Sequence, residues 1–452
     1  MDVSVVILAA GKGSRMKSSI PKVLHPLAGR PLVQHVIDTA RQLSSEITLV
    51  IGHGADMVEA KFGNQPVTLA VQGEQLGTGH AVAQALPHVR RDGVALVLYG
   101  DVPLTRAETL RQLTNLAGEK TLALLTVTME DPTGYGRIVR NESGDIQAIV
   151  EQKDANSNEK AIREVNSGIM AMPAWVLHDW LPRLSNDNAQ GEYYLTDLVA
   201  MAVTEGVSIR AAHPAAIEET LGVNNRVQLA ELERFFQRHQ VEQLMLAGVT
   251  LRDPARVDIR GELTVGADSD IDINVVFEGR VDIGERVTIG PNVILRDVKV
   301  GDDVRIEANT LIEGASVGAG ASVGPFARIR PGTELAERAK VGNFVETKKA
   351  IIGIGSKVNH LSYIGDAVIG EGANIGAGTI TCNYDGVNKF VTEIGSGAFV
   401  GSNSTLVAPV VIEAGAFVGA GSVLTKTAPA EQLTVGRARQ VTVPNWKRPA
   451  KK

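Results

Sequence analysis

An aliphatic or aromatic residue recurs at about every sixth position between Leu263 and Leu424, with occasional slips of register. A period of six fits neither an α-helix nor a hairpin sheet. It is typical of a parallel β-helix, in which each hexad forms one flat side of a coil and the apolar residue points inward. Three hexads per coil predict about nine coils, and a prism roughly 43 Å long at about 4.8 Å per strand. The recurring residues are Val265, Ile271, Phe277, Ile283, Ile289, Leu295, Val300, Ile306, Ile312, Val317, Val323, Ile329, Leu335, Val341, Ile364, Ile369, Ile375, Ile394, Val400, Leu406, Ile412, Val418 and Leu424.

Glycine directly follows many of these apolar residues. Because glycine has no Cβ, it adopts backbone conformations that other residues avoid. We therefore expect these glycines to supply backbone freedom near the corners of the coils. They are Gly284, Gly290, Gly301, Gly318, Gly324, Gly342, Gly395 and Gly401.

Composition and charge exclude several classes of protein. A chain of 452 residues with 44% apolar content indicates two large globular domains. The net charge of −6 argues against nucleic-acid binding. The single cysteine, Cys382, excludes an internal disulfide framework, and no apolar run approaches the roughly 20 residues that span a bilayer. We expect a cytoplasmic protein without a nucleic-acid or membrane partner.

The first half of the chain alternates apolar strands with helical stretches. This alternation predicts a Rossmann-like α/β sheet that binds ligands at the carboxyl ends of its strands. A helix is predicted over 32–43. The predicted strands are Val3–Leu8, Ile47–Ile51, Val67–Val71, Val94–Tyr99, Thr121–Thr128 and Gly168–Met172.

A glycine-rich loop follows the first predicted strand. It has Gly11 and Gly13 but Met16 in place of the third glycine of a dinucleotide fingerprint, and it lacks the spacing of a P-loop. Its cations Lys12 and Arg15, with Lys22 shortly after, suit a phosphate that backbone N–H groups approach closely. The alternative is a tight turn with solvated cations.

Several segments resemble the sugar-nucleotide pyrophosphorylases, whose nucleotidyltransferase domain is GT-A-like. Together with the hexads, they resemble the family of bacterial bifunctional N-acetylglucosamine-1-phosphate uridyltransferase/glucosamine-1-phosphate acetyltransferases over nearly the whole chain. One departure is Gln152, where some relatives carry His. The segments are Leu8–Met16, Pro21-Lys22, Gln72, Gln75–His80, Tyr99–Pro103, Gly134–Arg137, Glu151–Asp154, Asn166–Gly168 and Gly222–Asn225.

The resemblance implies a first site that transfers UMP from UTP to N-acetylglucosamine 1-phosphate. Asp101 and Asn224 would bind Mg²⁺, and Arg15 and Lys22 would be catalytic. The alternative role of Asp101 is to cap the turn after its strand, and the alternative for Gln72 and Thr78 is that they are ordinary polar loop residues. The implied nucleotide- and sugar-binding residues are Leu8, Ala9, Ala10, Gly11, Lys22, Gln72, Gly77, Thr78, Tyr99, Gly100, Asp101, Gly136, Glu151, Asn166 and Asn224.

The hexads break over 342–363 and again over 381–392, where a loop is predicted to leave the coils. Sites concentrate on loops that a rigid scaffold carries. His360 in the first break matches the base of hexapeptide acyltransferases, although a lone histidine is more often a surface or packing residue. As a base, it would take the proton from glucosamine 1-phosphate as the amine attacks acetyl-CoA.

The resemblance also assigns the substrate contacts of this second site. The cations among them could instead form a solvated rim. The implied glucosamine-phosphate residues are Arg330, Lys348, Tyr363, Asn374 and Lys389, and the implied acetyl-CoA residues are Ala377, Asn383, Tyr384, Ser402, Ala420 and Arg437.

The expected organisation is an α/β uridyltransferase domain over 1–224, a helical linker over 225–247 and a left-handed parallel β-helix over 248–452. The resemblance implies a homotrimer.

Two alternatives are a single-activity pyrophosphorylase whose hexads serve oligomerisation and allostery, and a non-catalytic platform. The tail carries Arg439, Lys447, Arg448, Lys451 and Lys452, and a basic tail of this kind is usually only solvated.

Overall fold

The computed structural model describes residues 2–449, so Lys451 and Lys452 of the basic tail lie outside the described residues. The chain divides into two compact units, Met1–Phe236 (unit 1) and Gln237–Lys452 (unit 2). The division falls inside the helix Arg226–Leu246. The domain limits drawn from the sequence, 1–224, 225–247 and 248–452, stay predictions.

Unit 1 holds a nine-stranded mixed sheet and a short two-stranded ribbon. The ribbon is formed by β2 and β3, and the other strands belong to the large sheet. In chain order, strands β1 to β11 are Val3–Ala9, Pro26–Leu27, Arg30–Pro31, Ile47–Ile51, Thr68–Val71, Val94–Tyr99, Thr121–Thr128, Arg137–Arg140, Ile146–Val150, Glu164–Pro173 and Ser208–Ala212.

Short helices connect these strands, and a long helix follows them. None of the helices in residues 2–449 combines the length and apolar character needed to cross a membrane. Helices α1 to α8 are Leu32–Arg41, Ala55–Phe62, Thr78–Ala85, Ala107–Leu116, Ser157–Lys160, Ala174–Trp180, Asp197–Thr204 and Arg226–Leu246. The 3₁₀ turns are Ser14–Met16, Lys22–Leu24, Leu86–His88, Leu181–Arg183, Ile217–Thr220 and Pro254–Arg256.

The order of the large sheet is β11-β7-β10-β6-β1-β4-β5, with β8 and β9 attached beside β10. Strand β1 is parallel to β4 and β6, and β5 is parallel to β4. Parallel strands end at the same edge of a sheet, so the loops that follow β1, β4, β5 and β6 meet there. The predicted strand Gly168–Met172 belongs to β10, which runs antiparallel to β6 and β7.

Apolar side chains on both faces of this sheet explain why the predicted strands form. Val5, Ile7 and Leu49 pack on one face with Val33 and Ile37 of helix α1. The alternate residues of β1, such as Val6 and Leu8, belong to a second core on the other face. A strand that is buried on both faces is continuously apolar, which is the pattern of β1.

Unit 2 is a parallel β-helix. Each strand pairs in parallel with its counterpart one coil later, for example Val257 with Val275 and Arg305 with Ser322. The strands form an 11-stranded and a 14-stranded sheet. Strands β12 to β36 are Thr250–Leu251, Val257–Val265, Asp270–Ile271, Val275–Ile283, Thr288–Ile289, Ile294–Val300, Arg305–Ile306, Leu311–Glu313, Ser316–Val317, Ser322–Val323, Arg328–Ile329, Glu334–Leu335, Lys340–Asn343, Glu346–Ile352, Lys357–His360, Tyr363–Ile369, Asn374–Ile375, Ile380–Cys382, Thr392–Ile394, Phe399–Val400, Thr405–Val407, Val410–Ile412, Phe417–Val418, Val423–Leu424 and Leu433–Thr434.

The hexad residues form the core of this β-helix, as the sequence predicts. All of them are buried except Val265, which is partly buried against the same core. Nine rungs of the 11-stranded sheet, from Asp270–Ile271 to Phe417–Val418, lie within the hexad region. This number confirms the prediction of about nine coils.

The predicted role of the hexad glycines is wrong at most positions. Of the eight, only Gly324 has a positive φ, and the left-handed corner positions are filled by residues such as Asn292 and Asp303 and by other glycines such as Gly320 and Gly397. The other seven glycines allow neighbouring coils to approach. A Cβ on Gly342 would lie 2.0 Å from the carbonyl oxygen of Asn359, and one on Gly401 would lie 2.5 Å from the Ala420 nitrogen.

Candidate active sites

A cleft of ≈ 350 Å³ opens in unit 1 where the loops after β1, β5 and β6 meet. Ten of the residues implied by the resemblance line it. These are Leu8, Ala9, Ala10, Gly11, Lys22, Gln72, Gly77, Thr78, Tyr99 and Asp101. The cleft also contains residues that were not predicted as site residues, namely Val23, Gln75, Ala81 and Glu192.

Polar groups from distant parts of the chain converge on the ammonium of Lys22. This ammonium forms an ion pair with the carboxylate of Asp101 and lies 3.3 Å from Oδ1 of Asn224. Arg15 donates a hydrogen bond to the same oxygen of Asn224 at 2.9 Å. The backbone N–H of Val223 donates to the carbonyl of Asp101 at 2.9 Å, which holds the two segments together.

The oxygens of Asp101 and Asn224 thus face one cationic position. Carboxylate and amide oxygens are hard ligands that suit Mg²⁺. Within residues 2–449, no group of three or more His, Cys, Asp or Glu residues is arranged to hold a metal ion. A cation bound here would therefore take its remaining ligands from substrate phosphates and water, as Mg²⁺ commonly does.

The two glycines of the loop after β1 are needed for different structural reasons. A Cβ on Gly11 would meet nothing within 4 Å, so backbone and ligand can approach each other there. Gly13 has φ +59°, and a Cβ on it would lie 2.7 Å from the Cβ of Lys22. Gly13 therefore lets the loop pack against the turn that carries Lys22.

Gln72 and Thr78 are held by backbone contacts and are not freely solvated loop residues. Gln72 is 3% exposed and donates from Nε2 to the carbonyl of Gly77 at 3.2 Å. The Thr78 hydroxyl accepts a hydrogen bond from the backbone N–H of Leu195 at 3.1 Å. These bonds fix the wall of the cleft.

Three of the implied nucleotide- and sugar-binding residues, Gly136, Glu151 and Asn166, lie around β8 to β10. The backbone N–H of Asn166 donates to the carbonyl of Gly136 at 2.8 Å, and a Cβ on Gly136 would lie 3.3 Å from Oε1 of Glu151. Thr196 donates to Glu151 at 3.1 Å. Burial raises the pKa of Glu151, and the hydrogen bond from Thr196 opposes that shift.

Tyr99 and Gly100 connect the cleft to the sheet. Burial raises the pKa of Tyr99, with a further contribution from the charges of Glu151 and Asp101. Gly100 donates its N–H to the carbonyl of Leu8 at 2.9 Å. Tyr99 is therefore a neutral phenol that feels the negative charge of both carboxylates.

In unit 2, the imidazole of His360 is held by a residue one coil earlier. Its Nδ1 lies 2.7 Å from Oδ1 of Asn343, which is its register partner in the neighbouring strand. An amide oxygen only accepts, so Nδ1 carries the proton and Nε2 presents a lone pair. His360 is exposed, and Asn343 was not predicted as a site residue.

His360 belongs to a column of equivalent corner positions in successive coils. Each residue of the column is followed by a residue with positive φ. The N–H of that following residue donates to the backbone carbonyl of the column residue one coil earlier. Gly378, which follows Ala377, thus donates to the carbonyl of His360 at 3.3 Å. The column therefore aligns the implied base with three of the implied acetyl-CoA residues, which lie in the next three coils. Its members are Asn343, His360, Ala377, Ser402 and Ala420.

A cluster of cations lies at the 14-stranded sheet, with Lys348 in β25, Arg330 directly after β22 and Lys389 in the loop between β29 and β30. The ammonium of Lys389, and then the charge of Arg330, lower the pKa of Lys348, which indicates that these like charges are close together. Arg330 is paired with Glu346 at 2.8 Å. Asp366 opposes the shift in the pKa of Lys348, so the three cations stand against two carboxylates, Glu346 and Asp366, and the cluster keeps an excess of positive charge that suits an anion.

Tyr363 and Asn374 lie on different sheets of the β-helix. Tyr363 pairs with Glu346 of the preceding coil in the 14-stranded sheet. Its hydroxyl lies close to Gly365, where a Cβ would be 2.4 Å from it. Asn374 lies on the 11-stranded sheet, next to Lys357. Among residues 2–449, Asn374 makes no side-chain hydrogen bond, so no hydrogen bond joins it to the cationic cluster.

The remaining implied acetyl-CoA residues lie at the protruding loop and the tail. Asn383 donates to the carboxylate of Asp366, and Tyr384 forms an antiparallel bridge with Lys389. Arg437 donates to the carbonyl of Ala420 at 2.5 Å. The loop thus connects the cationic cluster to the acetyl-CoA residues.

Comparisons with known proteins match both units. A family model for the MobA-like NTP transferase domain matches residues 5–171. Models for the hexapeptide repeat of succinyl-transferase and the bacterial transferase hexapeptide match residues 280–313 and 392–426. A solved nucleotidyl transferase from Methanothermobacter thermautotroptrophicus is 20% identical with a TM-score of 0.39, over 53% of this chain and 99% of that chain.

Curated relatives match over the full length. The bifunctional protein GlmU of Marinobacter nauticus is 60% identical over 448 residues, which is 99% of each chain. The bifunctional protein GlmU of Cellvibrio japonicus is 58% identical over 451 residues, which is 100% of each chain.

A nucleotidyltransferase sheet and a hexapeptide β-helix, each with its own polar site, define a two-domain transferase. The chain belongs to the GlmU family of bifunctional proteins. It is a uridylyltransferase and an N-acetyltransferase of UDP-N-acetylglucosamine synthesis. This membership excludes the single-activity pyrophosphorylase and the non-catalytic platform.

Proposed function

We propose that the cleft of unit 1 is the uridylyltransferase site and that the His360 column of unit 2 is the acetyltransferase site. The observation that carries the first assignment is the convergence of Lys22, Asp101 and Asn224 at one end of the cleft. The second rests on the hydrogen bond between His360 and Asn343.

In unit 1, the loop over 8–11 and residues Gln72, Gly77 and Thr78 hold the uridine nucleotide. Gly136, Glu151, Asn166 and Asn224 hold N-acetylglucosamine 1-phosphate. An oxygen of the sugar phosphate attacks the α-phosphorus of UTP in line, and the bond to the bridging oxygen of pyrophosphate breaks. The nucleophile is already an anion, so no protein base is required.

The cations of unit 1 neutralise the charge of this reaction. Arg15 and Lys22 contact the phosphates, and catalysis follows from position and charge. When phosphates bind, Lys22 exchanges its ion pair with Asp101 for contacts with the substrate. Mg²⁺, held by Asp101 and Asn224, would supply additional neutralisation of the phosphate charge.

In unit 2, Nε2 of His360 accepts a proton from the glucosamine amine as the amine attacks the carbonyl carbon of acetyl-CoA. The C–N bond forms, the C–S bond breaks and coenzyme A leaves as a thiolate, which the imidazolium then protonates. The N–H of Ala377 has no backbone or side-chain acceptor among residues 2–449. It is therefore available as an oxyanion donor.

The sugar phosphate of the acetyltransferase substrate binds the cationic cluster. Arg330, Lys348 and Lys389 neutralise it, with Tyr363 and Asn374 at the sugar. Acetyl-CoA lies along the corner column and contacts Ala377, Asn383, Tyr384, Ser402, Ala420 and Arg437. The mutual proximity of the cations supports an anionic ligand, since like charges cluster favourably only with a counter-ion.

We further propose a cytoplasmic homotrimer that binds small-molecule substrates and neither nucleic acid nor a membrane. Phe326, Phe344 and Leu361 support association because they are 49%, 55% and 60% exposed and lie in equivalent corner positions of three successive coils. Phe344 and Leu361 directly follow Asn343 and His360, so a second copy that covers this ridge would lie beside the acetyltransferase site.

The test is mass spectrometry of the purified chain with glucosamine 1-phosphate and acetyl-CoA, without UTP or metal. We expect N-acetylglucosamine 1-phosphate from the wild type and none from His360→Ala. The wild-type product, given UTP and Mg²⁺, is then expected to become UDP-N-acetylglucosamine. Undiminished acetylation by His360→Ala would contradict the assignment of the column.

A further inference from the structure

The amide of Gln72 has a defined orientation in the cleft of unit 1. Its Nε2 lies 3.2 Å from the carbonyl oxygen of Gly77 and 3.0 Å from Nδ1 of His80. A carbonyl oxygen only accepts, so the amide nitrogen, and not the amide oxygen, must face Gly77. No donor among residues 2–449 bonds to Oε1 of Gln72, and Gln72 lines the cleft. The amide therefore offers an acceptor to a ligand.

The orientation of the Gln72 amide bears on the tautomer of His80, because the Gln72 nitrogen lies closer to the ring, at 3.0 Å, than the nitrogen of Gln84, at 3.2 Å. The second amide hydrogen of Gln72 is directed at Nδ1, which must accept it, so the ring proton lies on Nε2. Nε2 of His80 lies 3.2 Å from the amide of Gln84. The same amide nitrogen of Gln84 donates to the carbonyl oxygen of His80 at 3.1 Å, so it faces the ring as a second donor and gives the Nε2–H of His80 no acceptor. His80 also packs near the ring of Tyr193, with centroids 6.5 Å apart.

We propose that His80 is a positioning residue for nucleobase recognition, because it holds Gln72 with its amide oxygen presented to the base. This inference rests on the proposed uridylyltransferase site. Uracil carries a hydrogen-bond donor at N3 and matches an acceptor, whereas cytosine carries an acceptor at N3 and is mismatched. The pair therefore selects UTP over CTP.

Both anchors of Gln72 are needed for this selection. The carbonyl of Gly77 engages one amide hydrogen, and without His80 the other would be left unpaired on a side chain that is 3% exposed. An unpaired buried donor is costly, and without His80 only the hydrogen bond to Gly77 opposes rotation of the amide. With one hydrogen bond in place of two, the amide turns its nitrogen toward the base more often, and a donor there tolerates cytosine.

The experiment measures kcat and KM for UTP and CTP with full-length wild type, His80→Leu, His80→Asn, Gln72→Leu and the double variant His80→Leu/Gln72→Leu. We expect His80→Leu to raise the KM for UTP more than it lowers kcat, and to reduce the UTP/CTP ratio of kcat/KM by about tenfold or more. His80→Asn has an oxygen that can accept from Gln72, and we expect it to retain most of the ratio. The UTP/CTP ratio of kcat/KM for the double variant should be no lower than that for Gln72→Leu alone, because His80 acts through Gln72.

An unchanged UTP/CTP ratio in folded His80→Leu would overturn the inference, and so would additive effects in the double variant. Should His80→Leu not fold, ¹⁵N NMR of the histidine-labelled wild-type chain still decides it. Unprotonated Nδ1 of His80 at neutral pH supports the inference, and protonated Nδ1 overturns it. Absence of any UTP turnover by the wild type would contradict the proposed site itself, and the NMR result would then still report the tautomer.

Discussion

The imidazole Nδ1 of His360 lies 2.7 Å from Oδ1 of Asn343, the residue directly opposite it one coil earlier. The partner of the proposed base therefore comes from the stacking of coils and not from the neighbouring sequence. Asn343 fixes the orientation of the imidazole and leaves Nε2 free. We therefore expect Asn343 to affect the rate of acetyl transfer, although His360 and not Asn343 takes the proton from the amine.

Replacement of Asn343 tests this relationship. We expect Asn343→Ala to lower kcat of acetyl transfer by about 10- to 100-fold, since general-base catalysis depends on the position of the ring. Asn343→Asp keeps an oxygen acceptor and should retain more activity than the alanine variant. The measurement is the release of coenzyme A thiol, with uridylyl transfer by the same variant as the control. Equal rates for wild type and Asn343→Ala would show that the hydrogen bond has no role in catalysis.

Lys22 is expected to be essential for the first site alone. Lys22→Ala should lower uridylyl transfer by orders of magnitude, because it removes a cation that neutralises the phosphates. Acetyl transfer should not change. Pyrophosphate release measures the first activity, and Lys12→Ala, which removes an exposed cation of the same loop, is the matched control. An unchanged rate for Lys22→Ala would remove Lys22 from the mechanism.

Removal of divalent cations should separate the two activities. A chelator is expected to abolish uridylyl transfer, because the oxygens of Asp101 and Asn224 suit Mg²⁺, and to leave acetyl transfer intact. Asp101→Ala should raise the Mg²⁺ concentration needed for half-maximal uridylyl transfer. Both rates are measured across a Mg²⁺ titration. Metal-independent uridylyl transfer would contradict the proposed ligands.

Buried His35 makes the stability of unit 1 sensitive to acid. Burial lowers the pKa of His35 below its ordinary value of 6.5, and the hydrogen bond to the Leu27 carbonyl only partly opposes this. Below pH 6.5 the unfolded chain therefore binds a proton that the folded chain does not. This stabilisation is complete above pH 6.5 and is lost as the pH falls toward the folded value.

Thermal unfolding measured between pH 8 and pH 5 checks this prediction. The Tm of the wild type should fall as the pH decreases through 6.5. His35→Gln can still donate a hydrogen bond to Leu27 and does not titrate, so its Tm should depend less on pH in this range. The same pH dependence in both proteins would show that another group is responsible.

Substitutions at Gly342 and Gly397 test the two structural reasons for a glycine in unit 2, which are close approach of neighbouring coils and a positive φ. Gly342→Ala should destabilise unit 2 by about 2 kcal/mol or more, because the new Cβ would lie 2.0 Å from the Asn359 carbonyl oxygen. Gly397→Asn is the contrast, since Gly397 has φ +67° and open space around it, and asparagine tolerates this conformation. Denaturant unfolding measures both. A larger loss for Gly397→Asn would contradict the steric reason at Gly342.

The fold was largely predictable because it depends on local periodicity. An apolar residue at every sixth position can be buried only by a coil with flat sides, and the hexad residues are the core of unit 2. The function of the glycines was not predictable in this way. Their contacts are with the backbone of the next coil, as Gly342 with Asn359, and a single repeat contains no information about that distance.

The candidate sites were only partly predictable. The motif segments gave the residues that line the cleft, but Glu192 lies in a segment without a motif and reaches the cleft because Tyr193 is hydrogen-bonded to Leu76 and Gly79. Gln75 lies within a quoted motif and was still not predicted as a site residue. The roles of the predicted residues remain proposals.

The sequence by itself determined the two kinds of domain, since strand and hexad periods are properties of consecutive residues. Only the tertiary structure decided which distant side chains meet, such as Lys22 with Asp101 and Asn343 with His360. The physical reason is that these contacts depend on strand order and on coil length. Coil length varies between 17, 18 and 25 residues, as the register pairs Asn343 with His360, Val257 with Val275 and Asn374 with Phe399 show. A change of one residue in a coil would place a different side chain beside the base.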